Sequence, residues 1–276
     1  MKPIQIVAAA FVAATASPAL AQDADNWTGF YVGGHFGYGF QPNDDDETIL
    51  FDTNLDGRFG ETVNTTAPAN AFSPGFCGGS ANGNAPAAGC RDDRDGIEFG
   101  IQAGYDYQAP GSMFVVGMAV DYSRSRLRDS VTGFSTTPAS YTMTRRLRDV
   151  ATFRGRLGLS TGRALIYATG GLAYGSIRNS FTTTNTANAF TDNGDERGWG
   201  GVIGGGVEYR LARNFSIGAE YLYRSIDAGD YVVRAGPGTA GLTNPFRIVN
   251  PNGTDFLRSD DRMSSHGLRL TANYRF

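Results

Sequence analysis

Charged side chains recur inside segments of the sequence that otherwise alternate apolar and small residues. Glu220 stands between alanine and tyrosine, and Arg269 stands between two leucines. Every second side chain of an extended chain points to the same side, so these charges collect on one face. Opposite charges crowded away from bulk water either pair or line a narrow path for ions, and the sequence leaves both alternatives open. The predicted charge network comprises Asp106, Asp121, Arg154, Arg156, Glu208, Arg210, Glu220, Arg269 and Arg275.

The two cysteines of the chain, Cys77 and Cys90, lie in one stretch rich in glycine, alanine and asparagine. The N-terminal export signal described below would deliver the chain to an oxidising compartment, in which disulfides persist. Two thiols without neighbouring histidines make a poor metal site. We therefore predict a disulfide between Cys77 and Cys90.

Alternating oxygen-bearing side chains at Asp52, Asn54 and Asp56, followed by Gly57, match the first half of an EF-hand calcium loop. The second half does not match, because Val63 occupies the position of the bidentate glutamate. Calcium is thus a weak candidate ligand, and ordinary turn chemistry with an acidic surface is the favoured interpretation. We predict no cofactor.

The composition excludes two classes of protein. A net charge of -3 disfavours a nucleic-acid partner, which would usually require a basic chain. The chain has 18 phenylalanines and 13 tyrosines but only 18% charged residues, which is atypical of a disordered protein. Its 38 glycines alternate with aromatic residues, which is typical of β-structure with close backbone approach.

Residues 1–21 have the pattern of a secretory signal peptide. Lys2 provides the basic start, an apolar stretch follows, and small residues precede a predicted cleavage site after Ala21. We expect the mature domain to comprise residues 22–276.

Beyond the signal, apolar residues alternate with small or polar residues in eight segments, which predicts eight strands with two unlike faces. The segments are residues 27–40, 97–107, 114–122, 151–159, 166–174, 199–210, 215–224 and 267–276.

Short turns and long connections alternate between these strands, as in a transmembrane barrel with periplasmic turns and extracellular loops. We therefore predict an all-β fold, an eight-stranded antiparallel transmembrane β-barrel. A secreted soluble sandwich or barrel is the disfavoured alternative, because glycines and charges share one face while aromatic residues recur at the ends of the other. The predicted long loops span about residues 41–96, 129–144, 180–196 and 229–261.

Three segments resemble the small outer-membrane barrels of Gram-negative bacteria, the group of opacity proteins, OmpA membrane domains and "porin family" proteins. They read WTGFYVGG at residues 27–34, GAEYLYR at 218–224 and LTANYRF at 270–276. The resemblance implies an integral protein of the outer membrane. It also implies that the terminal aromatic residue, Phe276, is the signal read by the barrel assembly machinery.

Some eight-stranded outer-membrane proteins modify lipid A with serine and histidine groups. Here Ser264 and His266 share a face, and Asp227 on the preceding strand could orient the imidazole. Such residues are also ordinary at the rim of a barrel, so hydrolysis is a distant third hypothesis and we predict no enzyme.

The favoured function is that of a structural surface protein that supports envelope integrity and makes surface contacts through its loops. A small porin-like diffusion channel is the alternative. Expected partners are outer-membrane lipid, lipopolysaccharide, the barrel assembly machinery and an extracellular ligand or host surface, but no nucleic acid. Arg178, Arg234 and Arg262 near the outer rim are candidates for contact with lipid A phosphate. Apolar residues of the last loop, such as Phe246 and Phe256, suit either ligand contact or a small core.

Overall fold

A computed structural model describes residues 26–41 and 46–276 of the chain. The predicted signal peptide lies outside these residues. Eight antiparallel strands form a sheet that closes on itself through the pairing of the fourth strand with the fifth and of the first with the last. This confirms the predicted eight-stranded barrel. Its strands are β1 (Gly29–Phe40), β6 (Gly96–Gln108), β7 (Phe114–Arg124), β9 (Ala139–Ser160), β10 (Ala164–Thr183), β12 (Glu196–Ala212), β13 (Phe215–Asp227) and β16 (Arg262–Arg275).

The two faces of the barrel wall differ as the alternation predicts. Phe30, Ile101 and Leu270 are each 65–68% exposed on the outside. Buried charges such as Arg154 and Glu208 point inward. A water-soluble barrel would have the opposite arrangement, whereas an apolar exterior is what bilayer lipid requires. Among the described residues, no helix is long and apolar enough to cross a membrane.

The long connections on the side opposite the short turns are folded. Their strands are β2 (Ile49–Asp52), β3 (Gly75–Gly78), β4 (Ser80–Ala81), β5 (Cys90–Arg91), β8 (Arg128–Ser135), β11 (Ala189–Asp192), β14 (Val232–Gly236) and β15 (Thr254–Arg258), and two short 3-10 helices span Pro86–Ala88 and Pro245–Arg247. We call these connections, together with the adjoining ends of β9 and β10, the cap.

The long connection predicted at about residues 129–144 has the form of a long hairpin of β8 and β9. Side-chain hydrogen bonds between facing hydroxyls support this hairpin, from Ser130 to Thr144 and from Thr132 to Thr142. Such cross-strand polar pairs stabilise a sheet without the apolar alternation on which the sequence analysis relied.

The cap has its own hydrophobic core, supplied by all four long connections. Strands β11, β14, β15 and β2 form a separate antiparallel sheet. Phe256 lies at the centre, with its ring 5.1–5.2 Å from those of Phe51 and Phe246. Several apolar residues of the last predicted loop, 229–261, therefore belong to a core, whereas Leu242, Ile248 and Val249 are exposed. The buried members are Ile49, Phe51, Val63, Ala71, Phe72, Val131, Ala139, Tyr141, Met143, Tyr231, Val233, Ala235, Phe246 and Phe256. The third connection contributes half-buried Phe181 and Phe190, which pack against them.

Inward-facing glycines make room for two tyrosine rings that lie inside the barrel. A Cβ atom at Gly206 would come within 2.7 Å of the Tyr167 hydroxyl and 2.8 Å of its ring carbon. A Cβ at Gly104 would overlap Tyr31 in the same way. The glycines thus allow aromatic side chains to lie flat across the narrow interior.

We expect Gly206→Val to lower the free energy of unfolding by about 1–3 kcal/mol, because the added side chain would displace Tyr167. Gly201→Val is the matched control, since a Cβ at exposed Gly201 meets nothing within 4 Å, and it should change stability by less than about 0.5 kcal/mol. Urea unfolding in detergent micelles, followed by tryptophan fluorescence, measures both. Equal losses from the two variants would contradict this packing.

Candidate functional site

A lower charge layer lies inside the barrel near the short turns and consists of Asp106, Arg156, Glu208 and Arg275. Arg156 donates from Nη2 to Glu208 Oε2 at 2.6 Å and lies 3.4 Å from Asp106 Oδ2. Arg275 donates to the same Asp106 oxygen at 2.8 Å. Arg210 lies at the edge of this layer, with its guanidinium carbon 4.3 Å from the centre of the Trp27 ring. Each buried charge in this layer therefore has an opposite charge within reach.

An upper charge layer consists of Asp121, Arg154, Glu220 and Arg269. Arg154 Nη1 is 2.8 Å from Glu220 Oε1, and Arg269 is 2.5 Å from both Asp121 Oδ1 and Glu220 Oε2. Tyr167 donates its hydroxyl to Glu220 at 3.0 Å. The structure thus brings the nine sequence-predicted charges into the interior, and eight of them form these two layers.

Sequence reasoning missed a further ion pair above the upper charge layer. Arg224 Nη2 lies 2.5 Å from Glu98 Oε2, and both side chains are almost fully buried. The alternation in the predicted second and seventh strands places Glu98 and Arg224 on the inward face. It could not indicate that side chains of these two distant strands would pair. His35 lies nearby, with Nε2 3.0 Å from the Ser123 hydroxyl.

An apolar layer closes the upper part of the barrel. Leu147, Ile177 and Leu222 point into the interior and are fully buried. An ion crossing this layer would lose its water without gaining a polar partner. The members of the layer are Leu127, Leu147, Val150, Ala173, Ile177, Val202, Leu222, Ile226, Ala228 and Met263.

An outer ion network joins the barrel to the cap and consists of Glu47, Asp129, Arg145, Arg258 and Asp260. Asp129 accepts from Arg145 at 2.5 Å and from Arg258 at 2.8 Å. Arg258 also pairs with Glu47, and Arg145 lies 2.8 Å from Asp260. The network links the first, second and last long connections, and no sequence period could have predicted it.

Comparison with known proteins settles the family. The model of the family described as "Outer membrane protein beta-barrel domain" matches residues 7–276. The chain belongs to this family. It is an integral β-barrel protein of the outer membrane.

Two further comparisons identify proteins that are similar to this chain. A relative, the 31 kDa outer-membrane immunogenic protein of Brucella melitensis, is 27% identical over 96% of this chain and 88% of the relative. Among solved structures, OprG of Pseudomonas aeruginosa has a TM-score of 0.45 at 12% identity, covering 92% of this chain and 99% of OprG. A major outer membrane protein of Thermus thermophilus has a TM-score of 0.40 at 12% identity, covering 90% of this chain and 99% of that chain.

The cysteine pair of this outer-membrane barrel is a disulfide, which confirms the prediction. Cys77 lies in β3 and Cys90 in β5, with Cα atoms 6.5 Å apart. The bridge closes a loop within the first long connection, and the pairing of β3 with β8 joins that connection to the hairpin beside it.

The acidic segment at Asp52 forms a turn. The Asp52 carboxylate accepts hydrogen bonds from the backbone N–H groups of Leu55, Asp56 and Gly57. Asn54 uses its side-chain oxygen in the same turn, to accept from Asp56. These oxygens face backbone donors, which is the turn chemistry that the sequence analysis favoured over calcium. In the described part of the chain, no three His, Cys, Asp or Glu side chains are grouped to hold a metal ion.

The hydrolase candidates are not joined into a relay. His266 Nδ1 lies 2.6 Å from the Tyr221 hydroxyl, and Ser264 lies 3.4 Å from the Ser225 hydroxyl. Asp227 faces Arg262 in the strand register. Within residues 26–41 and 46–276, no hydrogen bond links Ser264, His266 and Asp227 to one another.

Phe276 is 66% exposed on the lipid face, with its ring 5.3 Å from that of Tyr274. Its N–H donates to the carbonyl oxygen of Phe30 at 2.9 Å, which joins the chain end to β1. Recognition of Phe276 by the assembly machinery stays a prediction.

Two carboxyl groups of the cap have opposite pKa shifts. Burial and the adjacent Asp129 raise the pKa of Asp93 to about 7. Burial also acts to raise the pKa of Asp129, but the guanidiniums of Arg258 and Arg145 outweigh it and hold the value at about 2. Asp93 therefore changes charge near neutral pH beside a carboxylate that stays ionised.

We expect Glu220→Gln to lower the free energy of unfolding by about 3 kcal/mol, because two buried arginines would lose a charged partner. Asp195→Asn is the control, since Asp195 pairs with Arg178 at 3.6 Å where both are more than half exposed, and it should cost less than about 1 kcal/mol. Thermal and urea unfolding in the same lipid measure both variants. An unchanged stability of Glu220→Gln would refute the interior pairing.

We expect the cap to become less stable as the pH rises through about 7, because Asp93 must then ionise beside Asp129. The folded-state pKa of Asp93 lies above its ordinary value of 3.8, so its contribution is full at low pH and is lost through about pH 7. Asp93→Asn should remove this pH dependence, while Asp92→Asn should retain it. Amide hydrogen exchange along β8, corrected for intrinsic rates, is the measurement. Ser130 is left out because its N–H donates to Asp93 Oδ1 at 2.7 Å and would report that bond directly. A wild-type cap with no such loss would contradict the shift.

Proposed function

We propose that this protein is a structural surface protein, a sealed outer-membrane barrel that supports the envelope and presents a folded cap to the outside. The proposal rests on five layers of side chains that fill the interior of the barrel one after another without a gap. From the turns outward these are the lower charge layer, the upper charge layer, the Glu98–Arg224 pair, the apolar layer and the outer ion network.

Each layer opposes ion flow by a different physical effect. In the charge layers, an incoming ion must separate partners such as Arg154 and Glu220, which are 2.8 Å apart and buried. Removing one partner of a buried ion pair costs about 3–5 kcal/mol, which sets the scale of this barrier. In the apolar layer, the ion must lose its hydration with no replacement.

The cap is suited to contact with other surfaces because it is folded into a fixed shape. Its core unites residues from all four long connections, and the Cys77–Cys90 bridge fixes the most extended of them. A preformed surface binds a partner without first ordering flexible loops, which lowers the entropic cost of contact.

A narrow diffusion channel is the second candidate. The observation that favours it is a set of buried polar atoms without hydrogen-bond partners, including His35 Nδ1, Asp106 Oδ1 and Arg156 Nε. Such atoms are usual sites for internal water. A connected file of water past these atoms would provide a polar path through the charge layers.

Planar-bilayer conductance distinguishes the two functions. Purified folded protein, with incorporation verified by vesicle flotation, is compared with Glu220→Gln and Arg269→Gln variants. We expect the wild-type protein to give no reproducible current steps. Wild-type steps that change with these substitutions would refute the sealed barrel and establish a pore through the upper charge layer.

A further inference from the structure

Four arginines stand side by side across neighbouring strands on the outward face of the barrel wall. Arg94 and Arg128 exchange two backbone hydrogen bonds of 3.0 Å. Arg128 faces Arg146 in the pairing of β8 with β9, and Arg146 faces Arg178 in the pairing of β9 with β10. Facing residues of antiparallel strands share a face, so the four side chains form one lateral row, the arginine row.

Inward and outward positions alternate along β9 and β10 except at a β-bulge, where Ser176 faces Asp149 and Ile177 faces Leu147. The bulge keeps Arg146 on the same face as the outward Ala151. Asp129 and Arg145, next to the row in sequence, are buried on the inner side in the outer ion network. Arg94 and Arg178 are exposed, and Arg128 and Arg146 are half-buried. The row therefore lies on the same side of the wall as the lipid-facing residues.

An aromatic row lies below the arginine row on that face. Tyr122 and Tyr174 both flank Ala151 in the strand register, and the Tyr174 ring lies 4.9 Å from that of Trp199. Tyrosine and tryptophan at such positions mark the boundary between hydrocarbon and headgroups. Arg146 is five residues beyond Ala151 on β9, which is roughly 16 Å along the strand. The arginine row is thus at the depth of a large headgroup.

Two more arginines fill the interval between the rows. Arg126 is exposed in the link between β7 and β8, two residues before Arg128. Arg148 is half-buried in β9, two residues after Arg146. Cationic side chains therefore extend from the top of the aromatic row to the arginine row. The carboxylate of Asp149 also lies in this interval and pairs with Arg124 at 3.1 Å.

The protein itself leaves this charge largely uncompensated. Within the described ranges, no carboxylate pairs with Arg94, Arg128 or Arg146, and Arg178 has only the exposed contact with Asp195. Burial and the guanidiniums of Arg146, Arg94 and Arg91 lower the pKa of Arg128. Like charges held side by side repel, so an anion bound between them would relieve an existing cost.

We propose that the arginine row binds the phosphate groups of the glycolipid in the outer leaflet of the outer membrane. The planar guanidinium donates two parallel hydrogen bonds to phosphate oxygens, and adjacent arginines can hold two phosphates on one sugar headgroup. A lipid is the occupant because the row continues the lipid-facing surface and its acyl chains would lie against the apolar wall below. This inference depends on the membrane location and not on whether the interior conducts.

The arginine row differs from the set of arginines that the sequence analysis named for phosphate contact. Arg234 pairs with Asp255 in the cap sheet, at 2.6 Å through Nη2, and Arg262 faces Asp227. Of the three arginines named from the sequence, only Arg178 belongs to the row.

Native mass spectrometry of the folded protein in detergent, titrated with diphosphorylated lipid A, tests the proposal. The double variant Arg128→Gln/Arg146→Gln should bind lipid A at least about tenfold more weakly than the wild type, because two charge-assisted contacts are lost. The matched control is Arg163→Gln/Arg213→Gln, which removes two charges at the short-turn end and should leave affinity unchanged. Circular dichroism verifies that each variant is folded.

Two further titrations identify the ligand. Dephosphorylated lipid A should bind wild-type protein and the Arg128→Gln/Arg146→Gln variant equally weakly, which would assign the effect to phosphate. Inorganic phosphate at the same concentrations should not compete. Equal lipid A binding by wild type and the double variant would overturn the proposal, as would full competition by inorganic phosphate, which would indicate a site for the free anion.

Discussion

The pairing of arginine with carboxylate in a space too narrow for bulk water is the constraint on which this structure depends. An eight-stranded barrel is only wide enough for its own side chains to fill. Charges placed there must neutralise one another, because an unpaired charge would have neither water nor counter-ion. Asp121 and Glu220 each contact both Arg154 and Arg269. The upper charge layer therefore crosslinks strands on opposite sides of the barrel, and the inward glycines give its large side chains the space to do so.

Arginine–carboxylate pairs that are shielded from water also join the barrel to the cap. The outer ion network is again two arginines held by carboxylates, but here Arg258 comes from β15 in the cap and Asp129 from the hairpin that continues the barrel wall. Between the two charged regions the apolar layer excludes water. The cap is thus attached to the barrel by ion pairs that lie between two hydrophobic cores, which strengthens the attraction between them.

The barrel was predictable from the sequence because the alternation of residue types along a strand indicates, for each residue, which face of the wall its side chain occupies. Arg154, Glu220 and Arg269 were assigned inward on that basis, and the structure places them in one layer. The cap was not predictable because its core is assembled from four connections, each with too few apolar residues to show a period. Phe51 and Phe256 meet through pairing of β2 with β15, some two hundred positions apart in the chain. The arginine row was invisible for a related reason, since it runs across strands rather than along them.

Arginines on the outer and inner faces of the same barrel wall have opposite electrostatic surroundings. Arg145 lies between two carboxylates inside, whereas its sequence neighbour Arg146 stands among other arginines outside. A one-residue change of strand register would exchange these environments and leave each charge in the wrong place. Charge therefore helps to specify the register of β9, in addition to the apolar alternation that specifies it within the membrane.

A double-mutant cycle on Glu98 and Arg224 tests the interior pairing most directly, because each of these two buried charges has the other as its ion-pair partner within the described residues. Unfolding free energies are compared for the wild type, Glu98→Gln, Arg224→Met and the double variant, all in the same lipid. If the interior is stabilised by buried ion pairs, each single variant loses about 3 kcal/mol of unfolding free energy. The loss in the double variant is then smaller than the sum of the two single losses by at least about 1.5 kcal/mol. Additive losses would show that the two charges act independently and would contradict it.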